Sequence, residues 1–196
     1  MSTPGRRLPL LTIAVLAVTT VVTVLARTSH PGLADALRRD PDALRAGEWW
    51  RLVSPVLYQP DPPLIVAATF ALVAIVGVAF EWRFGRLRWI VFYLAGAVAG
   101  HAVGHVFQPH GSGCSVAGAG LLGGFVAWVL KRGPAPLRIG AVIWLAFAVV
   151  DTLLRDIHGV PILAGFLLGL FLLPAGRVRS PGQPSVAAPR RTWSRD

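Results

Sequence analysis

Six apolar stretches, at about 9–26, 63–80, 89–107, 114–130, 137–154 and 159–174, recur along the chain between clusters of charge, proline and glycine. An apolar run of about 20 residues is what a helix needs to cross a bilayer, and backbone groups in lipid must be satisfied within the segment itself. Recurrence of such runs leaves one architecture for the chain: an all-α polytopic membrane protein with six transmembrane helices. Composition agrees, with 54% apolar and 14% charged residues and a mean hydropathy of +0.61, outside the range of ordinary soluble domains. Arg6 and Arg7 precede the first run, as in a signal peptide. That run is long and no small-residue cleavage site follows it before Arg27, so it is expected to stay as an anchor.

Charge then orients the bundle. Counting from an inner start, the inner segments hold thirteen Lys and Arg and the outer segments six, the positive-inside bias of a chain with both termini cytoplasmic. Seven of the nine acids fall on the outer side. The net charge of +10 is thereby explained by topology, and a nucleic-acid partner is not required. The expected organisation is a cytoplasmic N-terminus over 1–8, a membrane domain over 9–174 and a disordered basic cytoplasmic tail over 175–196. Abundant Arg, Ala, Val and Gly with a single Lys and no Asn suggests a bacterial source, and hence the cell membrane. The single cysteine, Cys114, excludes an intrachain disulfide.

The longest connection, Arg27 to Pro62, is expected to carry structure of its own. Leu33, Leu37, Leu44, Trp49, Trp50, Leu52 and Val53 are read as one apolar side of short amphipathic helices in the outer interface. Glu81, at the inner border, is read as an ion-pair partner of Arg86 or Arg88.

Two side chains stand out within the apolar runs. Ser115 opens the fourth, among Gly113, Gly118, Gly120, Gly123 and Gly124, where missing side-chain bulk admits a neighbouring helix. His158 opens the sixth, which also carries Gly165 and Gly169; an ionisable residue in a span is costly and so a functional candidate. Both begin helices that start at the outer face, so they are expected at matching depth. A hydroxyl beside an imidazole base is the minimal machinery for acyl transfer. His101 and His105, four apart on one helix face, have metal-ligand spacing but no acidic or cysteine partner beside them. They are read as polar residues of the outer mouth, with no metal and no cofactor expected.

Taken together, GEWWRLVSPVL (47–57), the Glu81, Phe84, Gly85 turn, FYLAGAVAG (92–100), GCSVAGAGLLGG (113–124) and HGVPILAGFLLG (158–169) resemble the rhomboid family of intramembrane serine proteases. The resemblance covers most of 33–170 in the right order. It implies a six-helix bundle with its long first loop partly in the membrane plane, a water-filled outer cavity, and cleavage of transmembrane protein substrates near the outer face. It places the family's nucleophile on Ser115 and its base on His158. Three departures accompany it. Val116 follows Ser115 where the family usually has Gly, Ala119 replaces the aromatic that usually stacks on the base, and no His or Asn lies between Gln59 and Gly77 to hold an oxyanion. The Ser115 backbone N–H, His101, His105 and Gln59 are the candidate substitutes. The expected activity is serine-type intramembrane proteolysis; the alternative is a catalytically silent relative that binds transmembrane helices. A small-molecule transporter is disfavoured by the lack of an internal repeat.

Overall fold

The computed structural model describes residues 8–173, so the basic tail expected over 175–196 and all but the last residue of the N-terminus expected over 1–8 lie outside the described residues. Six long helices carry the fold: α1 (Leu10–Thr28), α4 (Pro63–Phe84), α5 (Arg86–Phe107), α6 (Ser115–Arg132), α7 (Ala135–Leu153) and α8 (Gly159–Leu172). No strand occurs among the described residues; a lone bridge joins Arg39 to Gly111. Four of the helices, α1, α4, α5 and α7, are long and apolar enough to cross a membrane. The other two fall short for local reasons. Four glycines dilute α6, which closes on Lys131 and Arg132, and α8 has only 14 residues.

Helix ends follow from single residues. Gly85 stops α4 and starts α5 in one step at φ 83°, a conformation open to glycine and strained for other residues. Proline occupies the first turn of α4 and of α7, where a missing N–H costs nothing. Helix α1 has no side-chain cap of its own. Buried Glu81 of α4 supplies it, accepting from the backbone N–H groups of Leu11 and Thr12 at 3.2 and 3.1 Å and from the Thr12 hydroxyl at 3.0 Å. Arg86 Nε stands 3.4 Å from the same carboxylate. The expected ion pair is thus one part of a larger role, tying α1 to the α4–α5 turn.

The connection between α1 and α4 holds α2 (Pro31–Leu37), α3 (Pro41–Arg45) and two single 3-10 turns over 49–52 and 54–57. Asp40 caps α3 through the N–H groups of Ala43 and Asp42; the Ala43 bond leads in holding its carboxyl below the usual carboxylate range. Buried Arg51 clamps the connection, donating to Glu48 at 2.7 Å and to the carbonyls of Asp35 and Arg38 at 2.8 Å. The apolar residues expected on one side divide instead. Leu33, Leu37, Leu44, Leu52 and Val53 are half-buried, while Trp49 and Trp50 are exposed.

Helix α6 is the hub. A Cβ on Gly120 would stand 2.5 Å from the Phe92 carbonyl oxygen of α5, and one on Gly123 would stand 2.0 Å from the Ile162 carbonyl oxygen of α8. Backbones in contact at such distances leave no room for any side chain, which is why this helix is glycine-rich on both flanks. Toward the end of α6 away from Ser115, Phe80, Phe84, Phe92 and Phe125 pack edge to face or tilted, with ring centroids 4.7–5.5 Å apart.

Candidate active site

Ser115 is the first residue of α6. The segment before it is held by hydrogen bonds as well as by the burial of Cys114 in the core. Gly113, at φ 149°, donates its N–H to the Pro55 carbonyl at 2.9 Å, and the Cys114 N–H donates to Gln59 Oε1 at 3.1 Å. The N–H groups of a helix's first turn have no partner within the helix, so the Ser115 hydroxyl sits beside free backbone donors and the positive end of the α6 dipole.

His158 immediately precedes α8. Its Nε2 lies 2.9 Å from Ser115 Oγ, although 43 positions separate the two in the chain. On the other side of the ring, Nδ1 lies 2.7 Å from Asp156 Oδ1, and the same oxygen accepts the His158 backbone N–H at 2.9 Å. Burial pushes the Asp156 carboxyl up, but these bonds and the nearby imidazole outweigh it and leave the group below the usual carboxylate range. The approach of α8 to α6 that makes this contact rests on the backbone seams at Gly123 and at Gly165, where a Cβ would meet the Gly120 carbonyl oxygen at 2.0 Å.

Ser115 and His158 open onto a cleft of about 360 Å³. Thr69, Leu72, Val73 and Val76 of α4 form one wall and Trp144, Phe147 and Asp151 of α7 the opposite one; Gly118, Ala119 and Leu122 of α6, with Asp156 and Ile162, complete the lining. The cavity is mostly apolar, and Ser115, His158 and Asp156 form a hydrogen-bonded group in its lining.

The other sequence candidates lie elsewhere. His101 is fully buried with Nδ1 2.9 Å from Arg39 Nη1, and because a guanidinium only donates, this nitrogen is the acceptor. Arg39 is itself buried, which lowers its pKa, and also donates to the Gln108 carbonyl at 3.2 Å. Neither His101 nor His105 lines the cleft. Gln59 spends its carbonyl on Cys114 and its amide nitrogen on Asp61, at 2.5 Å, so it braces the loop under Ser115. The other polar side chains lining the cleft are Thr69, Asp151 and Asp156, none of them among the site residues expected from the sequence. For Asp156 a signal existed, its place two residues before His158; Thr69 had none in a run of apolar neighbours. Among the described residues no three His, Cys, Asp or Glu are grouped as metal ligands.

Comparison with known proteins gives the chain a family. The family model for the Rhomboid domain matches residues 46–176, two-thirds of the chain and every element that builds the cleft. The chain belongs to the rhomboid family. It is also similar to the rhomboid protease GluP of Bacillus subtilis (strain 168), 34% identical over 101 residues. That match covers 51% of this rhomboid and 20% of GluP, so this chain matches only about a fifth of its relative's length. The apolar helices and the family together make the protein a multi-pass membrane protein.

Proposed function

We propose that this rhomboid is an intramembrane serine protease in which Ser115 is the nucleophile and His158 the general base. The observation that carries it is the 2.9 Å separation of Ser115 Oγ from His158 Nε2 at the mouth of an apolar cleft between α4 and α7. A transmembrane segment offers an apolar surface that suits those walls, and its peptide bond, once unwound at the mouth, meets the hydroxyl.

As Oγ attacks the scissile carbonyl carbon, its proton passes to Nε2 and a C–O bond forms. The tetrahedral intermediate collapses, the C–N bond breaks, and Nε2 returns the proton to the departing amine. Water, deprotonated by the same nitrogen, then releases the acyl group and restores Ser115. The developing oxyanion is met by the Ser115 backbone N–H at the α6 N-terminus, with the Thr69 hydroxyl the polar donor on the α4 wall. Without a His and Asn there, turnover is expected to be slow, since each missing donor costs about 10²–10³ in rate.

In membrane terms, α1, α4, α5, α6, α7 and α8 are the six spans of a membrane domain over 9–174. Both termini lie in the cytoplasm, the connection carrying α2 and α3 is outside, and cleavage occurs near the outer face of a bacterial cell membrane. The inner excess of Arg supports this orientation. The sparse donors of the α4 wall favour one competing function, a silent relative that holds transmembrane helices without cutting them. Reaction of the purified protein with a fluorophosphonate probe separates the two. Labelling lost in both Ser115→Ala and His158→Ala supports the protease; a folded wild type that does not label rejects it.

A further inference from the structure

Asp156 has no assigned part in the reaction, yet among the described residues it is the side chain hydrogen-bonded to the far side of the His158 ring. We propose that Asp156 is a positioning residue for His158, holding the imidazole in the tautomer that can accept the Ser115 proton and facing the imidazolium that results. The proposal rests on the assignment of Ser115 and His158 as nucleophile and base.

The geometry leaves little freedom. An ionised carboxylate only accepts, so at 2.7 Å from Asp156 Oδ1 the His158 Nδ1 carries the ring proton. That leaves the lone pair on Nε2, directed at Ser115 Oγ 2.9 Å away. When Nε2 takes the serine proton, the resulting cation lies against an anion already in place, and no group has to move. The carboxyl stays ionised below the usual range because of the His158 bonds described above. The turn carrying it is fixed as well: Arg155 adopts φ 59° and the Asp156 N–H donates to the Asp151 carbonyl at 2.8 Å. With the Arg155 N–H donating to the Thr152 carbonyl at 3.1 Å, these bonds form the left-handed cap that closes α7, so the end of that helix fixes the backbone at Asp156.

A simpler role would be local: Asp156 also accepts the His158 backbone N–H at the start of α8, which would shape the turn without touching the chemistry. Asp156→Asn tells the two apart. The asparagine carbonyl can accept both hydrogen bonds that Oδ1 now accepts, so a structural role and the tautomer survive, and only the charge facing the imidazolium is removed. The full chain in detergent would be reacted with increasing fluorophosphonate, separating the maximal labelling rate from the half-saturating concentration. Asp156→Asn is expected to lower the maximal rate about tenfold, the worth of one water-screened charge contact, with half-saturation and melting temperature unchanged. Asp156→Ala, which also loses the ring orientation, is expected to lower it about a hundredfold. Asp156→Asn and Asp156→Ala variants that both label at the wild-type rate would overturn the positioning role while leaving Ser115 and His158 intact. An unreactive wild type, or undiminished labelling of Ser115→Ala, would instead remove the protease assignment and this proposal together.

Discussion

Val116 shows how one residue can depart from a family pattern without disturbing the site. It is fully buried, and the position it faces, Gly100 of α5, would place a Cβ 2.5 Å from the Val116 Cβ. The volume added after Ser115 is thus accommodated by the absence of a side chain on the neighbouring helix. Neither Cβ can rotate out of the way, so Gly100→Ala is expected to destabilise the protein by about 1–3 kcal/mol. Adding Val116→Gly should return much of that loss, and a double-mutant cycle in thermal unfolding would read the coupling. Additive effects would mean that the two positions do not exchange volume. Ala119 is the converse case: it lines the cleft beside Ser115, so the space left by a missing aromatic is part of the cavity.

At the scale of elements, the seams between helices decide where the reactive groups stand. Gly123→Ala would push a methyl into the Ile162 carbonyl and force α8 away from α6. Its expected result is a lower melting temperature together with loss of Ser115 labelling, because the displaced helix carries His158. Gly140 of α7 is the control, since a Cβ there meets nothing within 4 Å. Gly140→Ala should leave labelling unchanged and be neutral or stabilising by up to about 1 kcal/mol, as for any open helical glycine. The α1–α4 junction is equally specific. Glu81→Ala strands two backbone N–H groups and a hydroxyl, and is expected to cost about 3 kcal/mol or more in a thermal or denaturant melt.

For the whole molecule, the proposed function predicts that a substrate helix enters the cleft between α4 and α7. A bifunctional maleimide bridging Leu72→Cys on α4 to Trp144→Cys on α7 is expected to block cleavage of a transmembrane peptide that the uncrosslinked double variant cuts, while the small fluorophosphonate still labels Ser115. Equal loss of both activities would show that the bridge distorts the site rather than closing a path. The native Cys114 does not confuse the experiment, being fully buried.

Much of this molecule was legible in one dimension. The apolar runs match the six long helices to within a few residues, because hydropathy and the proline, glycine and charge that interrupt it are local properties of the chain. The opening positions of Ser115 and His158 on their helices were legible for the same reason. What only the tertiary structure decided were the distances. Hydropathy cannot specify that α6 and α8 approach until backbone touches backbone, which sets the 2.9 Å between two groups 43 residues apart. Nor could helix periodicity foresee that His101 turns toward Arg39 or that Glu81 caps a helix 70 residues earlier, since a buried polar group takes whichever partner the packed helices bring to it. The sequence by itself determined which segments become helices and which reactive groups open them; packing of small residues determined which of those groups meet.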